Sequence, residues 1–192
     1  TYATAVTFTV SGDVTAKYQV GTKLKLTQTT VKYFHVQSAS FAASVTTVTV
    51  ITQTDYTLAN AAITSPFYSY QDNPQGFPTW FNYTPTWTSD GTAPSLGNGT
   101  LVGRFRLTGR SLLLVARLTM GSTTTFGTGI YSISLPVNPA AFTNGEWRGV
   151  GNVLDSGVRE YICVSVIYNG TSVVYARPEG GVALVSATVP IT

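Results

Sequence analysis

Few side chains in this sequence are suited to chemistry. There is one histidine, His35, one cysteine, Cys163, and eight carboxylates: Asp13, Asp55, Asp72, Asp90, Glu146, Asp155, Glu160 and Glu179. A protein metal site gathers several Cys, His or carboxylate ligands, and neither Cys163 nor any carboxylate stands near His35 in sequence. His35 therefore reads as an ordinary strand histidine, and no metal and no cofactor is expected. A Ser-His-Asp triad would have to use this same histidine, and no Gly-x-Ser-x-Gly elbow is present. Glycoside hydrolysis needs two carboxyl groups facing one bond. Asp13 and Asp90 sit in turn sequences, which leaves Glu146, Asp155 and Glu160 as the acids able to converge. No catalytic residue is assigned, and the chain reads as a non-enzyme.

Binding signals are more numerous. Trp80, Trp87 and Trp147 offer flat apolar faces with a polar N–H, a combination that suits both sugar stacking and core packing. Phe77, Trp80, Phe81 and Trp87 crowd a stretch broken by Pro74, Pro78 and Pro85, and they read as packing residues of an ordered joint. Trp147 lies in TNGEWRGVG (143 to 151), beside Glu146 and Arg148, and these three are the candidate receptor-contact residues on an exposed, Gly-flanked loop. Gly97-x-Gly99 and Gly127-x-Gly129 lack the following helix that a phosphate cradle needs, so they read as turn glycines.

The elements that must position these groups are strands. Of 192 residues only 11 are Lys or Arg and 8 Asp or Glu, whereas 32 are Thr and 16 Ser, so hydroxyls rather than ions cover the surface. That composition excludes a charged disordered tail, a long helix or coiled coil, and a disulfide scaffold. The seven arginines follow residue 103 and the four lysines precede residue 33, without a cluster dense enough for nucleic acid. The longest apolar run, Leu112 to Ala116, is far short of a spanning helix, and no membrane insertion is expected. β-branched and aromatic residues dominate at period two; only Leu58 to Ile63 could form a helical turn.

The pattern predicts an all-β chain. Residues 1–70 read as a small β-barrel or sandwich, 71–87 as the joint, and 84–192 as an antiparallel, jelly-roll-like β-sandwich. Leu24 and Leu26 alternate with Lys23 and Lys25, giving one apolar and one charged face. Val31 to Phe41 and Val45 to Thr52 form a pair with a tight connection. Leu101 to Thr108 turns at Gly109-Arg110 and returns along Leu112 to Met120. Tyr161 to Tyr168 turns at Asn169-Gly170 into Thr171 to Ala176. The returning strand of the first hairpin has Leu112, Leu114, Ala116, Leu118 and Met120 on one face, yet Leu113, Val115 and Arg117 lie on the other. A wet face should not carry Leu and Val, so Leu113, Val115 and Arg117 are candidate subunit-interface residues.

The stretches NPQGFPTWFNYTPTWT (73 to 88), GNGTLVGRFRL (97 to 107) and LTMGSTTTFGTGIYSISL (118 to 135) resemble a module of tailed-bacteriophage virion-surface proteins: tail-fibre, minor-tail and related components. The resemblance covers residues 73–135, extends loosely to DSGVREY (155 to 161), and brings no list of functional residues. It implies a virion component, usually a homotrimer, at a fibre, tail tip or capsid surface. Members usually continue with a further strand or two past the region of Pro178 to Pro190. The expected function is a tail-fibre or tail-tip module that binds a host surface glycan or protein. One alternative is a capsid decoration, head-fibre or scaffold protein that binds only other virion proteins. The second is a polysaccharide depolymerase.

Overall fold

Alternating Thr, Val and aromatic residues hold the backbone extended, and the chain forms antiparallel sheets throughout. The computed structural model describes residues 1–140, 145–155, 159–168, 171–178 and 185. Its strands are β1 (Tyr2–Thr4), β2 (Thr7–Ser11), β3 (Lys23–Gln28), β4 (Thr30–Ala42), β5 (Val45–Val50), β6 (Thr64–Ser69) and β7 (Phe81–Tyr83). They continue with β8 (Trp87–Ser89), β9 (Thr100–Thr108), β10 (Ser111–Thr119), β11 (Tyr131–Ser134), β12 (Glu146–Asp155), β13 (Arg159–Tyr168) and β14 (Val173–Pro178). The turn dipeptides at Asn144 and Asn169-Gly170, together with Glu179, lie outside the described residues.

The chain divides into two units, and neither is a single stretch. The first is Thr1–Thr84 with Gly103–Val115, and the second is Pro85–Val102 with Ala116–Thr192. A reading of contiguous modules divided near residues 70 to 87 misses this arrangement. The cause is long-range pairing: β7 takes β9 as its partner, with Phe81 opposite Phe105 and Tyr83 opposite Gly103. That ladder draws the tip of the β9–β10 hairpin into the first unit.

In the first unit six strands run in the order β1-β2-β5-β4-β3-β6. β1 and β6 are its edges, so no hydrogen-bonded closure into a barrel joins them. β4 is long enough to serve two neighbours: Thr30 to His35 pair with β3, and Val36 to Ala42 pair with β5. The register shifts between Val36 and Ser38, a bulge that bends the strand where it changes partners. Phe8, Leu24, Leu26, Phe34, Val36, Val48, Val50 and Leu58 fill the core. Leu58 to Ile63 is not helical. The buried Gln28 amide donates to Ala59 O (2.8 Å) and Ala61 O (3.0 Å) and accepts from Ala59 N (3.0 Å), while Leu58 N donates to Ala5 O. Those bonds satisfy the backbone groups that a helical turn would have used. The 3₁₀ turn found among the described residues is Thr15–Lys17.

In the second unit five strands run β12-β13-β14-β11-β8 over a core of Trp87, Tyr131, Cys163 and Val185. The segments around the two Gly-x-Gly motifs interlock here. Thr123 N and Oγ1 donate to Asn98 Oδ1, each at 3.0 Å, and Asn98 N donates to Thr123 Oγ1 at 2.9 Å. A Cβ at Gly97 would sit 2.3 Å from Thr123 O, so the backbone contact requires glycine there.

A candidate binding cleft in the first unit

The antiparallel β3–β4 ladder sets Lys23 directly opposite His35. Alternation alone would put Lys23 with Lys25 on a charged, solvated face. Lys25 is exposed, but Lys23 is only 4% exposed. The reason lies outside the strand, since the segment from Asp72 to Thr79 and the tip of the β9–β10 hairpin cover that end of β3. His35 is 2% exposed and sits edge-on to Phe77 (5.2 Å) and Phe81 (5.0 Å), with Phe105 at 6.4 Å. Phe81 stacks on Phe105 at 5.9 Å. Its strand is pinned by Asp55, whose carboxylate accepts from Asn82 N (2.6 Å) and Asn82 Nδ2 (2.8 Å).

Burial in this aromatic nest, with the charge of Lys23 second, pushes the His35 imidazole down to about 3. His35 is neutral at pH 7, and its Nδ1 is buried without a hydrogen-bond partner. Burial also lowers Lys23 from the usual lysine value, and the carboxylate of Asp72 works against that shift. Among the described residues nothing accepts a hydrogen bond from the Lys23 ammonium and no ion pair holds it. The two side chains border a cleft of about 180 Å³, closed by Asp72, Phe77, Pro78 and Arg106, with Asn73, Thr79 and Thr108 adding polar groups. Arg106 and Arg104 lie over the Trp80 ring, 5.8 and 4.7 Å from its centre, so an indole platform steers Arg106.

The joint residues separate. Phe77 lines the cleft, Phe81 is fully buried between His35 and Phe105, Trp80 is a half-buried arginine platform, and Trp87 belongs to the core of the second unit beside Tyr131 (5.1 Å). On β10, Leu112 and Leu114 are half-buried while Leu113 (48%), Val115 (44%) and Arg117 are exposed. The expected alternation is present, with its apolar outer face open in the single chain.

Glu146, Trp147 and Arg148 lie on a strand rather than a loop, because β12 pairs with β13 along its full length, Glu146 opposite Tyr168 and Asp155 opposite Arg159. Glu146 and Arg148 form an ion pair, and Trp147, 47% exposed, points to the other face of the ribbon. The three therefore do not make one contact surface. The same register separates the acids considered for hydrolysis. Asp155 and Glu160 are at one end of the hairpin and Glu146 at the other, nine residues apart along β12 and so roughly 30 Å. A glycosidase pair needs about 5–10 Å, so Glu146 lies out of reach of the other two and the three acids do not converge.

Lys23, Asp72 and Arg106 escape a reading of the sequence, because the segments that assemble them are up to 83 positions apart and each residue looks like surface in its own strand or loop. Among the described residues no group of three or more His, Cys, Asp or Glu is placed to hold a metal ion. Compared with protein-family models, with curated proteins and with solved structures, the chain matches none.

Proposed function

We propose that this chain is a non-enzymatic surface module of a tailed-bacteriophage particle that assembles as a homotrimer and attaches to the host envelope. The observation that carries the reading is β10. It has leucine or valine on both faces, and the outer pair, Leu113 and Val115, is open to solvent in the single chain. A strand of this kind gains by burying its outer face against copies of itself, since apolar area removed from water contributes about 25 cal/mol per Å². The hydroxyl-rich, ion-poor surface supports attachment in which hydrogen bonds and aromatic faces carry most of the contact area. Three weak sites on one rigid trimer raise avidity by about 10²–10⁴. The motif resemblance across residues 73–135 supports the particle assignment.

The test is made on the purified chain. Light scattering at micromolar concentration is expected to give three 20.4-kDa chains per particle, and L113D/V115D is expected to give one. The fluorescently labelled trimer is expected to stain some strains of a bacterial panel and not others. A wild-type monomer, or staining of no strain at all, sinks the proposal.

A further inference from the structure

The cleft on the first unit has features that a packing defect would lack. Lys23 is more than nine-tenths buried, carries a charge, and has no hydrogen-bonded partner among the described residues. Its stem is packed under its neighbours while the ammonium faces the cleft, partly desolvated and without a partner, so an anion in that space meets a cation that water solvates poorly. Arg106, steered by Trp80, adds a second cation on the rim. Phe77 and Pro78 give an apolar wall, while Asp72 and Asn73 add an acceptor and an amide suited to hydroxyl groups. The volume of about 180 Å³ falls below the roughly 300–1,000 Å³ of sites for drug-sized molecules. It suits one small ring.

We infer that this cleft binds the carboxylate-bearing sugar unit of an acidic polysaccharide, with the carboxylate between Lys23 and Arg106, the ring against Phe77 and Pro78, and the hydroxyls toward Asp72 and Asn73. A bare carboxylate would use the cations and leave the wall empty, and a neutral sugar would leave the Lys23 ammonium unpaired. The inference takes its setting from the host-attachment reading. Its test needs neither cells nor a trimer, so the two can fail separately.

His35 is the only histidine in the chain, so its ring signals in an NMR spectrum report on the cleft without ambiguity. Glucuronic acid added to the full chain should move those signals to saturation. Glucose should leave them in place, and acetate should bind at least about tenfold more weakly, having lost the wall and hydroxyl contacts. Lys23→Met keeps the apolar stem and removes the charge; it should weaken glucuronate at least about tenfold, the scale of one charge-assisted hydrogen bond. Should that variant fail to fold, Arg106→Gln, at an exposed position, should weaken it several-fold. No response to glucuronate, an equal response to glucose, acetate binding as tightly as glucuronate, or undiminished binding by a folded variant overturns the inference.

Discussion

His35 places an uncharged base in an aromatic nest, 2% exposed, and the consequence is a pH dependence with a definite sign. In the unfolded chain the imidazole takes up a proton near its ordinary value of 6.5, while in the fold it stays neutral down to about 3. Between those values the unfolded state binds more protons, so stability is full above about pH 6.5 and falls as the pH drops, by up to about 1.4 kcal/mol per unit. His35→Phe substitutes one ring for another among Phe77, Phe81 and Phe105 and removes the proton. Thermal melts at pH 7 and 4.5 should show a steep loss for the native chain and a much shallower one for the variant; equal slopes would mean that His35 is not the group responsible. The sequence discloses that His35 sits in a strand and lacks metal-ligand neighbours. Its burial comes from Phe81 and Phe105, 46 and 70 positions away, which no local pattern reveals.

At the scale of elements, alternation succeeds wherever one face of the sheet packs on the unit's own core. β5 is the clearest case, with Thr46, Val48 and Val50 buried in turn, and the β9–β10 hairpin turns at Gly109-Arg110 as its glycine suggests, Gly109 having a positive φ of 58°. Alternation fails for Lys23, which is covered by another segment. It places the tight β4–β5 connection but not its backbone conformation, because the turn carries no glycine. Ala43 (φ 49°) and Ser44 (φ 66°) are both left-handed there, a backbone that costs about 1–3 kcal/mol per non-glycine residue. A two-residue turn with both positions left-handed favours Asn-Gly. Ala43→Asn with Ser44→Gly should therefore stabilise the first unit by about 1 kcal/mol or more. A denaturant midpoint that stays put or falls would count against this account of the turn.

At the scale of the molecule, the feature that matters is that the first unit borrows residues from beyond the second unit's first segment. Gly21 makes the dependence concrete: a Cβ there would lie 2.3 Å from Gly109 O, so the end of the turn before β3 and the tip of the hairpin meet backbone to backbone. Phe105 and Leu107, both buried, belong to the same unit. A fragment ending at Thr84 keeps all six strands of the large sheet but exposes Phe81 and opens the nest around His35. It should show poor NMR dispersion and no cooperative melt, whereas a fragment of residues 1–115 should recover both for the first unit; a well-dispersed spectrum from the shorter piece would refute the dependence. Composition and period make the all-β class legible. The interleaving is not legible, because it depends on which strand β7 selects rather than on the pattern of any one segment.

This threading also sets an order of events on the ribosome. A nascent chain that has released residue 84 must wait for Val115, 31 residues later, and at about 5–20 residues per second that delay is roughly 2–6 seconds. For that interval Phe81 and its neighbours stand unsheltered outside the exit tunnel, and holding chaperones would find their opening there.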